Sequence, residues 1–591
     1  MTRNIQQLLT EHIDLWTSAI ENKSSAGRGN SRKKSLYGIK KLRELILELA
    51  VRGKLVEQDP DDEPAEVLLK RIVAERDQLI KDKKIKKQKT LPPISDEEKP
   101  FELPKGWKWV RLQGLTTLLG DGLHGTPNYD DKGEYYFVNG NNLKDGMIVI
   151  KPETKRVNEA EYQKYKKHLN SRTVLVSING TLGNIAFYAG EAIMLGKSAC
   201  YFNLATELSK TFIKKLIMAP YFSDYARANA TGSTIKNLGL KAINHLPMPL
   251  PPLDEQHRIV AKVDELMALC DQLEQQTEQQ LDAHQLLVDT LLGTLTQSQN
   301  ANELADSWTR LSQHFDTLFT TEASIDQLKQ TILQLAVMGK LVPQNPNDEP
   351  ASELLKKVAT DRAKLIKEGK IKKQKPLTEI NDEEVGFNPP NGWAWSRMGD
   401  LVQYQKGYAF KSKDYLECGL MITKIQNLTE NHIQNSVYIA PDSALVFAQY
   451  LLHEGDIVMT TVGSWFSAPI SAVGRSFLIN KLFDNSLLNQ NAVRIRPWKE
   501  LAPVYLFACI NSPIFKSYLV HEAQGTANQA SITQESIKTF LLCVPPKEEQ
   551  HRIVVKINEL FTLCDQLKER LQHNQQTQLL LTDTLVNEAL N

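Results

Sequence analysis

From Ile259 the chain places apolar residues at alternating steps of four and three: Ile259, Val263, Leu266, Cys270 and Leu273. The same spacing returns at Ile553, Ile557, Leu560, Cys564 and Leu567. Apolar residues with a mean period of 3.5 line one seam of a helix, so both stretches predict coiled-coil packing. The first seam resumes at Leu287 and Leu291. A helix from Leu253 to Leu292 would be about 60 Å long at 1.5 Å per residue. Pro251-Pro252 and Pro545-Pro546 stand just upstream, where proline ends a strand and suits a helix start. A second stripe, Ile39, Leu42, Ile46 and Leu49, is matched by Ile325, Leu328, Ile332 and Leu335. It predicts another helix pair capped by Gly53 and Gly339. The turns Asp61-Asp-Glu-Pro64 and Asn347-Asp-Glu-Pro350 then predict further helices with proline in the first turn.

These patterns come in pairs because the chain is duplicated. Leu42–Phe101 aligns without gaps on Leu328–Phe387 at an offset of 286, with about 35 of 60 positions identical. Gly106-Trp-Lys-Trp109 answers Gly392-Trp-Ala-Trp395 at the same offset. Glu255-Gln-His-Arg-Ile-Val260 answers Glu549-Gln-His-Arg-Ile-Val554 at an offset of 294. His12-Ile-Asp14 resembles His314-Phe-Asp316, so the N-terminal helix is expected to belong to the repeat. A repeat this long is a duplicated domain rather than a solenoid turn.

Between the repeated blocks, Arg111–Leu250 and Arg397–Val544 share little sequence. Their runs Tyr135-Tyr-Phe-Val138, Thr173-Val-Leu-Val176, Gly455-Asp-Ile-Val-Met459 and Ala492-Val-Arg-Ile495 are short, β-branched or aromatic, and punctuated by Gly and Asn. They predict small mixed α/β domains. The expected organisation is a helix and flexible linker over 1–36, the linker being Asn22–Lys34, then a helical region with a lysine tract over 37–102. An insert domain over 103–252 follows, then central helices with a second lysine tract over 253–388. A second insert domain over 389–546 and a final helix over 547–591 complete it.

Composition narrows the function by exclusion. Lys+Arg is 71 against 70 Asp+Glu in 591 residues. The net charge of +1 rules out a uniformly basic coat but not local basic surfaces. Six scattered cysteines without a Cys-x-x-Cys pair argue against a disulfide framework or a cysteine zinc site, and fit a reducing cytoplasm. No run of about 18 apolar residues suggests a membrane span, and Met1–Gln7 does not read as a signal peptide.

Catalytic motifs are present only as near-misses. Gly190-Glu-Ala-Ile-Met-Leu-Gly196-Lys-Ser198 separates its glycines by five residues where a P-loop needs four. Asn388-Pro-Pro-Asn391 lacks the closing aromatic of an amino-methyltransferase motif, and its repeat counterpart is Glu102-Leu-Pro-Lys105. There is no glycine-rich fingerprint for S-adenosylmethionine and no pair of histidines at metal-ligand spacing. His257 and His551 read as surface residues at helix starts.

Nucleic-acid binding fits better. Lys81–Lys89 and Lys367–Lys375, including Lys84, Lys87, Lys370 and Lys373, are lysine tracts of the kind that neutralise phosphates. Four loops of the first insert carry side chains able to read base edges: His124 and Thr126; Asn139, Asn141 and Asn142; Ser177, Asn179 and Thr181; and Ser233. The second insert offers Lys406, Tyr408 and Lys411; Lys424 and Gln426; Thr461, Ser464 and Trp465; and Gln524 and Asn528. Any one of these is an ordinary turn residue; their recurrence in both inserts favours a shared role.

At this point the chain resembles the DNA-specificity subunits of type I restriction-modification enzymes. The resemblance rests on Leu103-Pro-Lys-Gly-Trp-Lys-Trp-Val110, Pro249-Leu-Pro-Pro-Leu-Asp-Glu-Gln-His-Arg-Ile-Val260, and their second copies Pro389-Pro-Asn-Gly-Trp-Ala-Trp395 and Val544-Pro-Pro-Lys-Glu-Glu-Gln-His-Arg-Ile-Val554. The extended region before each insert resembles one subgroup of the family. The resemblance implies a mixed α/β fold class, with two pseudo-symmetric α/β target-recognition domains separated by long antiparallel coiled-coil helices. It implies a non-catalytic subunit whose two domains each read half of a bipartite, asymmetric DNA site. Two methyltransferase subunits and two translocase/nuclease restriction subunits would be its partners, bringing S-adenosylmethionine, ATP and Mg. The other functions compatible with the residues are a self-contained adenine methyltransferase using Asn388-Pro-Pro and a coiled-coil adaptor whose inserts bind protein.

Overall fold

A computed structural model describes residues 5–23, 33–298, 301–373, 375–465, 473–526 and 529–591. The expected linker falls largely on 24–32, outside the described residues. Six helices make the repeated frame: α1 (Tyr37–Val51), α2 (Ala65–Lys81), α3 (Leu253–Gln297), α4 (Glu322–Val337), α5 (Ala351–Lys367) and α6 (Lys547–Leu590). Helices α3 and α6 contain 45 and 44 residues. Each is about 65 Å long at 1.5 Å per residue, somewhat longer than the seam alone predicts. No helix among the described residues is long and apolar enough to cross a membrane.

The cap glycines answer two demands at once. Gly53 and Gly339 both have φ of +69°. Lys54 N–H and Lys340 N–H reach back to the carbonyls of Leu49 and Leu335, closing the helix in the left-handed manner glycine allows. A Cβ on either glycine would also collide with a proline, Pro104 or Pro390, and approach the ring of Trp107 or Trp393. Pro64 and Pro350 sit at the N-caps of α2 and α5, one position earlier than expected, and Ala65 and Ala351 donate to the carbonyls of Gly106 and Gly392.

The chain divides into two compact units. Residues 34–278 and 575–591 lie in the first; residues 279–574 lie in the second. Each unit thus contains the head of one long helix and the tail of the other. In the first, α1 runs antiparallel to the head of α3, with Arg43 on Asp271 and Glu274, and Gln58 on Glu255. The same α1 runs parallel to the tail of α6, with Tyr37 on Asp583 and Lys54 Nζ on the carbonyl of Leu590. The second unit repeats this around α4. Lys329 meets Asp565, Lys568 meets Asp326, and Lys340 Nζ donates to the carbonyl of Thr296. Within each unit the two long-helix segments therefore run antiparallel, joined through a third helix. The seam residues Ile259, Val263, Leu266, Cys270, Ile553, Ile557, Leu560, Cys564 and Leu567 are all buried, and Leu273 is half-buried. Burial pushes the Cys270 and Cys564 thiols up to about 11, which suits packing and not reactivity.

The two inserts, so unlike in sequence, have one topology. The first contributes β1 (Lys108–Arg111), β2 (Thr116–Asp121), β3 (Tyr135–Val138), β4 (Arg156–Val157), β5 (Thr173–Ser177), β6 (Ile185–Phe187), β7 (Ile193–Leu195), β8 (Ala199–Leu204) and β9 (Pro247–Leu250). The second contributes β10 (Ala394–Arg397), β11 (Val402–Lys406), β12 (Leu420–Thr423), β13 (Val437–Ile439), β14 (Ile457–Thr460), β15 (Ser476–Leu478), β16 (Leu487–Leu488), β17 (Ala492–Pro497) and β18 (Leu541–Val544). A four-stranded antiparallel sheet has the order β6-β5-β8-β2 in one and β15-β14-β17-β11 in the other. Beside it β3 pairs parallel with β7 and antiparallel with β4, as β12 does with β16 and β13. The pairs β1-β9 and β10-β18 tie each insert's entry to its exit.

Arg111, at the end of β1, is 8% exposed and gathers five acceptors. It donates to the carbonyls of Pro92, Pro93 and His245 and to both oxygens of Glu98, at 2.7 to 3.2 Å. Arg397 does the same with Thr378, Glu379, Thr539 and Glu384. The segment following each lysine tract is thereby pinned to its insert.

The Arg111 guanidinium holds the Glu98 carboxyl down to about 2, against an ordinary 4.5. A depressed carboxyl stabilises the fold above its unfolded value and loses that contribution as pH falls toward the folded one. Hydrogen-exchange protection of the backbone at 92–98 should fall between about pH 4.5 and about pH 2, and Glu98→Gln should abolish that dependence.

Candidate nucleic-acid interface

The candidate loops of the first insert converge on one end of its sheets. In register, Asp121 at the end of β2 lies opposite Cys200, and Ser177 at the end of β5 lies opposite Ala199. Ser198 joins the end of β3 to this point: its Oγ accepts from Gly140 N–H at 2.9 Å and donates to Asn139 Oδ1 at 2.8 Å. Asn179 bridges Asn237, which also pairs with Thr231, so the Ser233 loop joins the same edge. Gly122 must be glycine, because a Cβ would run into the carbonyl oxygens of Leu195 and Gly196.

The second insert gathers its loops in the same way. Lys406 lies opposite Val493 and Thr460 opposite Ala492. Tyr408 bridges Asn489, whose N–H donates to the carbonyl of Thr423, and Thr461 N–H donates to Asn491. Val462 and Gln524 both pair with Ser531. Gly407 matches Gly122, since a Cβ there would strike the carbonyl of Asn489.

Within this edge the side chains divide by exposure. His124, Thr126, Asn141, Thr181 and Ser233 face solvent, as do Lys406, Tyr408, Lys411, Gln426 and Gln524. Asn139, Asn179, Lys424, Ser464 and Trp465 are half-buried, and Asn528 lies outside the described residues. Asn142, Ser177 and Thr461 are buried and hold the loops instead of presenting them. Asn142 Oδ1 accepts from Asn139 N–H at 3.0 Å, while its amide donates to the carbonyl of Val149 and to Thr154 Oγ1. Asn427 plays the same part after β12, accepting from Lys424 N–H at 3.1 Å and donating to Ser436. Ser177 Oγ donates to the carbonyl of Thr181 at 2.6 Å and accepts from Asn184 N–H. The tract lysines Lys84, Lys87, Lys370 and Lys373 are exposed; Lys84 and Lys370 lie near Asp82 and Glu368.

Matched positions carry opposite charge. Asp121, bonded to the exposed His124 ring, occupies the place that Lys406 takes in the second insert. The two edges therefore share a scaffold and differ in chemistry.

Several residues that organise the site were not assigned a role from sequence. Glu255 is buried at the start of α3 and accepts from Trp107 Nε1 at 2.9 Å and Gln58 Nε2 at 2.7 Å. Glu549 accepts from Gln344 in the second copy. Burial pushes both carboxyls up, and the N–H donors oppose the shift. Gln256 accepts from Ser209 N–H and donates to the carbonyl of Pro251; Gln550 does so with Ala502 and Pro545. Arg258 and Arg552 pair with the half-buried Asp62 and Asp348, whose side chains are almost fully covered. The repeated Glu-Gln-x-Arg is thus a structural clasp, with His257 and His551 exposed on its outer face. The available signal was its recurrence at a constant offset.

A model of the type I restriction modification DNA specificity domain matches residues 104–283 and 390–575. The chain is 43% identical to the Type I restriction enzyme EcoEI specificity subunit of Escherichia coli, over 99% of this chain and 100% of that one. It is 42% identical to the EcoAI specificity subunit of the same organism over the full length of both. Among solved structures, the HsdS subunit from Thermoanaerobacter tengcongensis is 17% identical, with a TM-score of 0.38 over 83% of this chain and 98% of that one. The chain belongs to the family of type I restriction-modification specificity subunits. It is a DNA-binding, non-catalytic component of such a system, with DNA and other subunits as its partners.

Asn142 and Asn141 separate scaffold from surface. Asn142→Ala strands buried partners and is expected to cost about 1–3 kcal/mol, read as a lowered melting temperature. Asn141→Ala should leave melting within about 0.5 kcal/mol of the parent.

Proposed function

We propose that the two inserts are target-recognition domains, each reading one half of a bipartite, asymmetric DNA sequence with a few unread base pairs between the halves. The observation that carries this reading is the pair of loop-bearing edges, alike in topology and different in side chains, on a duplicated frame. Half-sites read on one face of B-DNA lie about one turn, roughly 34 Å, apart. Helices α3 and α6 set that spacing more rigidly than a flexible linker, and joining two modest half-site affinities raises the overall one.

The same helices dock the modification subunits. Leu269, Leu286 and Leu287 are exposed on α3, and Leu563, Leu580 and Leu581 are exposed on α6 at the constant offset of 294. Apolar surface repeated in this way favours two copies of one partner. Those subunits would supply S-adenosylmethionine and methylate the exocyclic amine of adenine. Two restriction subunits would bring ATP- and Mg-dependent translocation and cleavage. This chain contributes the address and not the chemistry.

Replacing Arg111–Leu250 with the insert of another specificity subunit should change one half of the methylated sequence only. Mapping of methylated adenines in cells carrying the complete system reads this directly; a change in both halves would contradict modular reading. Neutralising Lys83, Lys84, Lys86 and Lys87 together should weaken DNA binding evenly across sequences and flatten its salt dependence. An unchanged salt slope would assign the tract to solvent or to subunit contacts.

A further inference from the structure

Leu445 and Val446, 89% and 74% exposed, are the two most exposed large apolar side chains among the described residues. They form the outer side of a short helical turn, Ser443–Val446, between β13 and β14. A single exposed leucine needs no explanation, but this pair does not stand alone. Directly behind it Phe447 and Tyr450 pack on the rings of Tyr408 and Phe410, with centroids 5.1 to 5.2 Å apart. Tyr408 is itself part of the candidate reading edge, two residues beyond the end of β11.

The segment that follows the turn is also held in place. Arg494, buried in β17, donates to the carbonyls of Gln449 and Leu451 at 3.1 and 2.6 Å. Arg496, paired with Asp456, donates to Leu451 as well. The apolar tip is thus presented from a fixed base instead of being draped over the core.

The first insert shows that the fold does not require this exposure. Its counterpart between β4 and β5 is the helix Glu159–Tyr165, packed on the corresponding loop through Glu161, which accepts from Asn128 N–H. That helix exposes Glu159, Gln163 and Lys164. The same place is polar in one domain and apolar in the other, which is the behaviour of a specificity element.

We propose that Leu445 and Val446 contact the 5-methyl group of a thymine in the half-site read by the second insert. This rests on the reading of the inserts as DNA-recognition domains. The thymine methyl is the apolar feature on the base edges of the major groove, and aliphatic side chains meet it there. The exposed cations Lys406, Lys411 and Lys413, on the loop whose Tyr408 and Phe410 pack behind the tip, suit a phosphate-bearing partner. A protein partner is the competing occupant.

The test uses the full chain assembled with its modification subunits and duplexes in which each half-site thymine, on either strand, is replaced in turn by uracil. One replacement in the second half-site is expected to weaken binding about three- to fivefold, the value of one buried methyl group. The Leu445→Ala/Val446→Ala double variant should bind thymine DNA more weakly by at least that factor and lose its discrimination between thymine and uracil. Both side chains are exposed, so its melting temperature should match the parent. A parent complex indifferent to every uracil in the second half-site overturns this inference and leaves half-site reading intact. Unchanged DNA affinity of the variant with loss of co-purifying subunits also overturns it, assigning the tip to protein docking. A parent complex that binds no bipartite site overturns both readings.

Discussion

A carboxylate removed from water must be met by donors, and at the head of each long helix this requirement decides where three stretches of chain go. Glu255 can be buried only because Trp107 and Gln58 bring N–H groups to it. Trp107 can do so only because Gly53 permits the close approach of its ring to the end of α1. The helix start, the entry to the insert and the cap of α1 are therefore one arrangement. Arg258 on Asp62 extends it to the turn before α2. Glu549 and Arg552 centre a related arrangement in the second half of the chain.

With entry and exit held by this clasp and by the β1-β9 and β10-β18 ladders, the sequence between them is free to diverge. What it retains is a pattern of burial and a few steric necessities. Gly122 and Gly407 pass beneath a neighbouring carbonyl, and Asn142 and Asn427 close a turn after the central parallel strand. One cross-strand contact shows how loosely identity is constrained. Thr173 on Asn203 in the first insert becomes the Asp456–Arg496 ion pair in the second, each joining the start of the central strand to its neighbour. A hydrogen-bonded pair and a salt bridge satisfy the same geometry.

This explains which parts of the molecule could be read from residues alone. The frame was legible because its seam, caps and clasp recur with the same residue types, so the long helices, the cap glycines and the duplication were all visible. The common topology of the inserts was not, since strands of two to six residues carry too little periodicity to reveal register. The candidate loops gather at one edge of each insert, yet from residues alone Asn142 and Ser177 were indistinguishable from Asn141 and Thr181. Asparagine and serine serve equally to bind a base and to satisfy their own turn. The exposure of Leu445 and Val446 was illegible for the opposite reason, because an aliphatic pair in sequence looks like core.

The exchange of helix ends between the two units has a temporal meaning. The contact of Tyr37 with Asp583 closes a loop of 546 positions, whereas the second unit draws its long helices from residues 279–574. During synthesis α1 must wait, its tail-facing side uncovered, until the whole of the second unit has been made and residues 575–591 follow it. A chain broken off inside the second insert therefore leaves the first insert on an unfinished scaffold, with Tyr37, Lys41 and Lys54 lacking their partners on the tail of α6. The order of synthesis thus withholds a finished first unit until the second exists.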